Sequence, residues 1–425
     1  MPDPTNEIEN KVNHLFRHQA GKMVSVLTRI FGSRNLELAE DVVQDTLVTA
    51  LEQWKIKGIP NDPESWLFIV AKNKALNLIK KQKHTVAFGD GENQVLLQSG
   101  YTLESTFNQL FEEDLIKDDQ LRMMFACCHP DISDENQITL ILKTLCGFST
   151  AEIAKAFLTS EDTVSKRLYR TKEFFRNSKV KLVIPNVDEI KSRTEAVLNT
   201  IYLLFNEGYN STHSEKLIRE DVIEESMLLC KLLMENEYTA LPEVFALSAL
   251  ICFHASRSNS RLTQEGELIL LPLQDRNKWD KALIQQGIFF MNKASIGNQV
   301  STYHLEAAIA FEHCIAESFE KTNWKTILEY YEWLCKISPS PVAELNRIIV
   351  VLQLEGAANA LKQLEVIKNK EKLKSYYLYY SLLGEIHSKL NNMTEAKKHF
   401  EEAIKLTQSK TEQKMLQNKI AKLLN

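Results

Sequence analysis

Apolar residues recur every three or four positions along most of this 425-residue chain, which is the spacing of one face of an amphipathic helix. The first clear stripe lies in the segment from Leu36 to Trp54 and consists of Ala39, Val43, Leu47, Ala50 and Trp54. Three polar residues lie off that stripe, namely Asp41, Gln44 and Asp45. The pattern predicts a helix that buries its apolar face and exposes an acidic one.

A second helix is predicted after the loop IKGIPNDPE, whose two prolines and glycine interrupt the first helix. It begins near Glu64 or Ser65, either of which could cap it, and continues through SWLFIVAKNKALNLIKKQK. The apolar residues available to a core are Trp66, Ile69, Val70, Leu76 and Ile79. Its lysines gather at the carboxyl end, where the helix dipole favours positive charge.

A helix-turn-helix is predicted within a compact unit that spans about residues 118–181. Ser149 or Thr150 can cap a first helix through AEIAKAF, the turn is LTSED, and the second helix is TVSKRLYRTK. Val164 and Leu168 lie four residues apart and face inward. The residues left mainly facing outward are Ser165, Lys166, Arg167, Tyr169, Arg170 and Lys172.

The outward residues of this second helix suit duplex DNA. Arginine and lysine bind guanine edges and phosphates, and a serine hydroxyl bonds to either a base or a phosphate. The alternative is an ordinary helical hairpin whose second helix is simply solvated. The combination of turn residues, small packing residues and clustered cations favours a DNA-reading helix.

The net charge of −5 gives no indication of a nucleic-acid partner, but the distribution of charge does. Residues 65–84 carry five lysines and no acid, and residues 163–181 carry seven Lys or Arg and one Glu. Residues 86–119, between them, carry eight acids and one lysine. Two basic patches with an acidic stretch between them fit two polyanion-contacting elements and a charged linker, although two solvated helix faces would give the same charges.

The first basic patch also contains aromatic residues. Its lysines lie near Trp54, Trp66, Phe68 and Asn73, beside the loop that contains IPNDPE. Aromatic rings stack on unpaired bases, cations hold the backbone, and a loop can surround a flipped base, so this patch is predicted to bind single-stranded DNA. The alternative is that both tryptophans belong to the core.

Other kinds of chemistry have little support in the sequence. The adjacent Cys127, Cys128 and His129 indicate packed thiols rather than a metal site, and phosphate-binding glycine loops and the HExxH pattern are absent, so no cofactor, no metal and no enzyme activity are predicted. The polar residues of LFNEGYN favour a buried network or helix cap over catalysis by Glu207. No apolar run reaches 18 residues and MPDPTNEIEN is not a secretion signal, which predicts a cytoplasmic protein without membrane contact.

Three blocks of the sequence, in order, resemble a bacterial RNA polymerase sigma factor of the extracytoplasmic-function (ECF) group. DVVQDTLVTALEQW and ESWLFIVAKNKALNLIKKQ resemble region 2, and GFSTAEIAKAFLTSEDTVSKRLYRTK resembles region 4. The rest of the chain, with IYLLFNEGYN and DRNKWDKALI, resembles a subgroup that carries a large helical extension. The resemblance implies a transcription initiation factor that is not an enzyme and whose partners are core RNA polymerase and promoter DNA, both as duplex and as melted strand.

The resemblance also implies roles for particular residues. The D-x-x-Q-[D/E] helix of the family docks on the polymerase, and the matching residues are Asp41, Gln44 and Asp45. The positions that would contact the −10 element are Trp54, Asn61, Trp66, Lys72, Asn73, Lys74, Lys80 and Lys81. The positions that would read the −35 element are Ser165, Lys166, Arg167, Arg170 and Lys172.

The expected architecture is all-α: two small helical sigma domains joined by a linker, and a large helical extension that ends in tetratricopeptide-like hairpins. The predicted division is residues 1–84 for region 2, 85–117 for an acidic linker, 118–184 for region 4, 185–338 for the extension and 339–425 for the hairpins. Within the hairpins, the repeat pattern is matched by Tyr380, Leu383, Gly384, Ala396, Phe400 and Ala403. A generic helical hairpin is the alternative.

Paired-helix repeats present concave surfaces to proteins or peptides, so the extension is predicted to bind such a partner and to regulate the sigma half in cis. The sequence does not say whether it activates or inhibits. The rival function is a free-standing DNA-binding transcriptional activator with a protein-interaction domain, which would need no aromatic single-strand element.

Overall fold

The computed structural model describes residues 4–82, 113–157, 159–178, 180–210, 218–264, 267–367, 373–374, 376–407 and 409–423. These residues form 18 α-helices and a few single turns of 3-10 helix, and their one β-type pairing is an isolated bridge between Leu262 and Leu268. The prediction of an all-α protein is confirmed. The chain divides into two compact units, residues 1–203 and 204–425.

The first unit begins with three helices, which we label α1 (Pro4–Phe31), α2 (Leu36–Lys57) and α3 (Pro63–Gln82). The predicted apolar stripe of α2 is buried, from Ala39 to Trp54. It packs on α1, whose Met23, Leu27 and Phe31 are fully buried. The helix predicted over residues 36–54 is therefore confirmed, and it continues for one more turn until Gly58, at φ 79°, ends it.

Helix α3 differs from the sequence prediction in its start and in its buried face. Its first turn is capped by Asp62, whose carboxylate accepts a hydrogen bond from the Ser65 amide at 3.1 Å, rather than by Glu64 or Ser65. Its buried residues are Leu67, Ala71, Ala75, Leu76 and Ile79. Ile69, predicted for the core, is 53% exposed, because the stripe that faces α1 and α2 is offset by two residues from it.

Four further helices complete most of the first unit: α4 (Glu113–Cys127), α5 (Asp134–Thr144), α6 (Thr150–Ala156) and α7 (Glu161–Asn177). Helices α4 and α5 pack on α1 as well as on each other. Residues 85–112 of the predicted acidic linker lie outside the described residues, as does Leu158 in the predicted turn between α6 and α7.

Helix α8 (Val187–Tyr209) contributes residues to both units. Its first part completes the first unit, because Arg193 donates a 2.6 Å hydrogen bond to the carbonyl of Phe125 and the Thr200 hydroxyl lies 3.7 Å from the thiol of Cys128. Both Cys128 and its neighbour Cys127 are fully buried.

The second unit consists of helices that mostly pack on their neighbours along the chain. They are α9 (Glu220–Glu235), α10 (Pro242–Ala255), α11 (Lys281–Ala294), α12 (Thr302–Ile315), α13 (Trp324–Ile337), α14 (Pro341–Leu354), α15 (Ala357–Glu365), α16 (Tyr377–Lys389), α17 (Met393–Leu406) and α18 (Lys410–Leu423). Helix α10 is buried along almost its whole length and packs on α9, α11 and α12. It is the centre of the amino-terminal half of this unit.

The last helices form closely packed hairpins. Gly384 of α16 lies against the ring of Phe400 of α17, and a side-chain carbon at Gly384 would come within 2.6 Å of that ring. Ala396, Phe400 and Ala403 are all buried between α16, α17 and α18. The residues chosen from the repeat pattern therefore lie at the contacts between these helices.

Candidate nucleic-acid interface

The acidic face of α2 is exposed. Asp41, Gln44 and Asp45 all lie on the solvent side of the helix, while the opposite face packs on α1. One turn earlier on α2, Glu37 is partly exposed and Glu40 is buried. The residues predicted to dock on polymerase are thus presented together by a rigid, well-packed helix.

The loop between α2 and α3 presents Asn61 to solvent, directly before the cap residue Asp62. The hydrogen bonds from the Ser65 side chain and amide hold the pKa of the Asp62 carboxyl below its usual value. This cap holds the end of the loop against the first turn of α3, so Asn61 has a defined position next to that end of the helix.

The two tryptophans of this region have different environments. Trp54 is 2% exposed and its indole N–H has no hydrogen-bond partner, whereas Trp66 is half-buried. Their rings meet edge to face with centroids 5.3 Å apart. Trp54 is therefore placed as a support for Trp66 rather than as a surface for a base, which corrects its expected role as a direct contact.

Most of the polar residues predicted for melted DNA lie along the accessible side of α3. Asn73, Lys80 and Lys81 are exposed, and Lys72 and Lys74 are half-buried. A cleft of about 530 Å³ borders this side; α3 contributes Phe68, Ile69 and Lys72 to its lining, and α1 contributes Lys22. Aromatic, aliphatic and cationic side chains thus lie side by side, which is the composition that single-stranded nucleic acid requires.

Helices α6 and α7 form the predicted helix-turn-helix. At the start of α6, the Ser149 hydroxyl accepts from the Glu152 amide at 3.2 Å, and the Glu152 carboxylate accepts from the Ser149 amide at 2.8 Å. This is the reciprocal capping box that the prediction of a cap at Ser149 implied. Helix α7 is capped by Ser160, which accepts from the Thr163 amide at 3.1 Å, and it buries Val164, Leu168, Thr171 and Phe175.

The outward face of α7 carries most of the predicted duplex contacts. Ser165, Lys166, Tyr169 and Arg170 are exposed. Lys166 also pairs with Asp162 at 2.6 Å on its own helix, and Arg167 pairs with Glu135 of α5. Pairs of this exposed kind are weak and exchange readily with phosphate oxygens.

Lys172 departs from the prediction that it faces outward. Its ammonium group lies 2.5 Å from the Glu40 carboxylate of α2, and both side chains are largely buried. Four residues later, Arg176 pairs with Glu37 of the same helix at 2.6 Å. The carboxyl-terminal half of α7 is therefore attached to α2, because its cations face acids that the local sequence pattern cannot reveal.

Cys127, Cys128 and His129, at the end of α4 and directly after it, have different surroundings. The Cys127 thiol lies 3.6 Å from the Thr144 hydroxyl, and burial raises the pKa of both cysteine thiols, that of Cys128 to about 12. His129 instead lies half-buried against the ring of Phe174. Within the described part of the chain no group of three His, Cys, Asp or Glu residues is arranged to hold a metal ion.

The polar residues of LFNEGYN end α8 in the second unit. Tyr209 accepts a 3.0 Å hydrogen bond from Arg257 at its hydroxyl, and the guanidinium of Arg261 lies 3.9 Å above its ring. His254 joins this network through a 2.7 Å contact with Arg257, and burial lowers the pKa of its imidazole well below the usual value. Sequence analysis missed the two arginines because they lie in the turns after α10, where no helical periodicity marks a residue as buried. Together they form a buried network that connects α8 to the segment after α10.

Among the described helices, none has the length and apolar character needed to cross a membrane.

Comparisons with known proteins agree with this geometry. Residues 15–85, which contain the acidic face of α2 and the basic face of α3, match the Sigma-70 region 2 family, and residues 193–295 match a family of unknown function, DUF6596. An uncharacterised protein of Rhizobium meliloti is 33% identical over 389 residues, which cover 92% of this chain and 90% of that protein. No solved structure matches the chain.

A characterised relative covers the amino-terminal part. The ECF RNA polymerase sigma factor SigL of Mycobacterium tuberculosis is 30% identical over 132 residues, 31% of this chain and 68% of SigL. The region 2 match and this relative define the class of the protein as a sigma factor, which acts in transcription initiation by binding core RNA polymerase and promoter DNA and is not an enzyme. Within that class, the chain belongs to the ECF sigma factors and carries a carboxyl-terminal extension.

Proposed function

We propose that this sigma factor opens promoters with the α2–α3 corner of region 2 and reads duplex DNA with α7 of region 4. The observation that carries the proposal is that one α-helical unit presents an exposed acidic face on α2, an aromatic and cationic surface on α3, and an exposed cationic helix in a capped helix-turn-helix. Each surface has the chemistry of one expected partner: polymerase, melted strand and duplex.

On α3, we assign the melted −10 strand to Trp66, Asn73 and the neighbouring lysines. Asn73 is exposed and carries both a donor and an acceptor, so it can recognise the edge of an unpaired base. Asn61 lies in the capped loop directly before α3, three residues after the loop's glycine and two before Pro63 at the start of the helix. Lys74, Lys80 and Lys81 follow along the helix, where they would hold the backbone.

On α7, we assign base and phosphate contacts of the −35 element to Ser165, Lys166, Arg167 and Arg170. The amino-terminal part of a recognition helix enters the major groove; Ser165, Lys166 and Arg167 lie in the amino-terminal half of α7, and Arg170 lies one turn further on. Lys172 would join them only after its pair with Glu40 is broken.

Run-off transcription tests this assignment. Core polymerase with this protein should initiate at defined sites on genomic DNA, and Asp41→Lys with Asp45→Lys should abolish those transcripts by repelling polymerase. Glu52→Lys with Glu195→Lys, an equal charge change at exposed positions outside the predicted docking site and outside the cleft beside α3, is the matched control. A protein that raised transcription only when another sigma factor was present would instead be a free-standing activator.

We further propose that the helical extension regulates the sigma half in cis and binds a protein or peptide partner. Its hairpins place Gly384, Phe400 and Ala403 at helix contacts, as a tetratricopeptide-like repeat does. A separate apolar groove of about 610 Å³ lies between α9, α10 and α11; Phe245 and Phe290 line it, and Phe289 at its edge is 55% exposed. Such a groove suits an apolar peptide side chain.

Truncation shows whether the extension activates or inhibits the sigma half. The cut belongs after Leu203, the end of the first compact unit, because a cut at residue 185 would remove the contacts of Arg193 and Thr200 with α4. More promoter-dependent transcript from residues 1–203 than from the full chain means inhibition, and less means activation. Equal yields from a truncated protein of normal helicity would reject regulation in cis. We place this activity in the bacterial cytoplasm, where the polymerase works.

A further inference from the structure

We propose that the apolar groove between α9, α10 and α11 binds a copper(I) ion, which Cys230 and Cys252 hold as thiolates with the sulfur of Met234 as a third ligand. These residues lie on α9 and α10 of the second unit, so the proposal does not depend on how the sigma half binds DNA. It follows from the register of the two helices, from the surroundings of the two thiols and from the other side chains that line the groove.

A contact between Met234 and Ser248 fixes which residues of α9 and α10 face each other. The two helices are joined by residues 236–241 and pack on each other, so they run antiparallel. The Ser248 hydroxyl lies 3.6 Å from the sulfur of Met234. Cys230 lies one turn earlier on α9 and Cys252 one turn later on α10, so the antiparallel register brings the two thiols to opposite sides of the same gap.

The surroundings of the two thiols agree with this register. The Cys230 thiol hydrogen-bonds with the hydroxyl of Ser248, on the turn of α10 before Cys252. Burial and, to a smaller extent, the neighbouring Cys230 raise the pKa of the Cys252 thiol to about 12. Both cysteines are free, and both line the groove. The two thiols are therefore neighbours, and the groove leads to both.

Soft and apolar side chains surround these thiols. Met227, on the turn of α9 before Cys230, adds a fourth sulfur to the lining, and the rings of Phe245 and Phe290 lie beside it. The carboxylates that border the groove belong to Glu224 and Glu235, which are exposed. Sulfur ligands thus lie inside the groove, and carboxylate ligands lie at its edge.

This set of ligands selects a soft metal ion of low coordination number. Thiolates and thioethers favour copper(I), whereas calcium and magnesium ions require oxygen ligands. A structural zinc site takes four ligands from Cys, His and carboxylate side chains, and the interior of this groove supplies two. On binding, the copper ion replaces the two thiol protons, which leave to water. Because the third ligand is a thioether, the site is compatible with the absence, among the described residues, of a metal-holding group of three His, Cys, Asp or Glu residues.

Competition with a copper(I) chelator tests the site in the full-length, reduced chain. Under anaerobic conditions the wild type should withdraw one copper ion per chain from its complex with bathocuproine disulfonate. Cys230→Ser and Cys252→Ser should each weaken binding by at least about a hundredfold, since loss of an outer-shell partner alone costs up to that factor. Cys335→Ser is the matched control, because Cys335 is a free and more exposed cysteine on α13, outside the lining of the groove.

Met234→Leu tests the third ligand with little change in side-chain volume. It should weaken copper binding about tenfold and lower the number of sulfur neighbours that X-ray absorption detects around the ion. The bound ion also joins α9 to α10, so amide hydrogen exchange in these two helices should slow when copper is added, while exchange in α17 stays unchanged. Far-UV circular dichroism shows whether each variant keeps the helicity of the wild type.

Several results would overturn the site: unchanged affinity in folded Cys230→Ser and Cys252→Ser, an equal loss in Cys335→Ser, or a copper ion with mainly nitrogen or oxygen neighbours. If a cysteine variant does not fold, the Met234→Leu affinity and the X-ray absorption of the wild type still decide. A wild type that takes no copper from the chelator would leave the groove to an apolar peptide. Run-off transcription tests the sigma function separately, so failure of the copper site and failure of that function are distinguishable.

Discussion

At the residue scale, Asn73 is an exposed amide on the basic helix of region 2, and its neutral side chain cannot add much to non-specific phosphate binding. We therefore predict that Asn73→Ala slows promoter opening about tenfold while binding of the closed duplex by the holoenzyme stays unchanged, because one lost base contact is worth roughly 1–3 kcal/mol. Permanganate reactivity of melted thymines measures the opening.

Asn77→Ala is the control for this change, since Asn77 is exposed one turn further along α3 and loses the same group. Equal opening defects in the two variants would mean that any polar loss on α3 matters and that Asn73 has no particular role.

Asp119 should make the free energy of unfolding of the first unit depend on pH, and the direction of that dependence follows from its pKa. Its burial raises the pKa of its carboxyl to about 6 from the usual 3.8, despite the opposing effect of Arg29 and Arg122. Between these values the folded state binds more protons than the unfolded state, so this residue's contribution to stability falls as the pH rises. We expect a loss on the order of 2 kcal/mol between pH 4 and pH 7 from this group.

Urea unfolding of the wild type and Asp119→Asn at both pH values measures the effect. The variant has no proton to exchange at this position, so the difference between the two proteins isolates Asp119 from other groups. If the free energies of unfolding of the wild type and Asp119→Asn differ by the same amount at pH 4 and pH 7, the raised pKa is contradicted.

At the scale of elements, the hairpin of α16 and α17 depends on the close approach at Gly384. Gly384→Val places branched carbons where the ring of Phe400 lies, and overpacking of this kind costs roughly 1–3 kcal/mol. We expect the free energy of opening to fall in the second unit and to stay unchanged in the first, and native-state hydrogen exchange measures it in each unit.

Lys389→Val is the control for that substitution. Lys389 is exposed in the same helix, so valine there meets no packed neighbour and its cost is confined to the lower helix propensity of valine. A loss in Gly384→Val no larger than in this control would show that α16 and α17 do not need the close contact.

The helices also show which buried faces could be predicted from the local sequence and which could not. The stripe of α2 was predicted correctly because polar residues interrupt it regularly, as they do in α7 around Val164 and Leu168. The start of α3 contains five consecutive apolar residues, Trp66 to Val70, so periodicity could not choose its buried face, and Ile69 was assigned wrongly. The Asp62–Pro63 pair was a usable signal for the helix start.

In the candidate site, too, some features could be predicted from the local sequence and others could not. Exposure of Asp41, Asn73 and Arg170 follows from the local pattern of each helix. Burial of Trp54 against Trp66 and the pairing of Lys172 with Glu40 depend on which helices meet in space. Those contacts join residues that are distant in sequence, and a single sequence does not specify them.

At the scale of the whole molecule, the sigma half presents the two surfaces that we propose bind DNA, and affinity depends on whether both can act at once. When polymerase holds them at the right separation, the second binding event becomes intramolecular, which raises affinity by roughly 10²–10⁴. The free factor, with α7 paired to α2, gains no such advantage.

We therefore predict that a promoter identified by run-off transcription binds the holoenzyme at least tenfold more tightly than the same fragment with its −35 element scrambled. Without polymerase, the ratio of the two affinities should be smaller, because the two surfaces are then not held at the separation that makes the second binding event intramolecular. Fluorescence anisotropy at fixed salt measures all four affinities, and holoenzyme with Lys166→Gln/Arg170→Gln should lose the discrimination. A free factor that already prefers the intact promoter by the same ratio would show that its two surfaces are separated before polymerase binds.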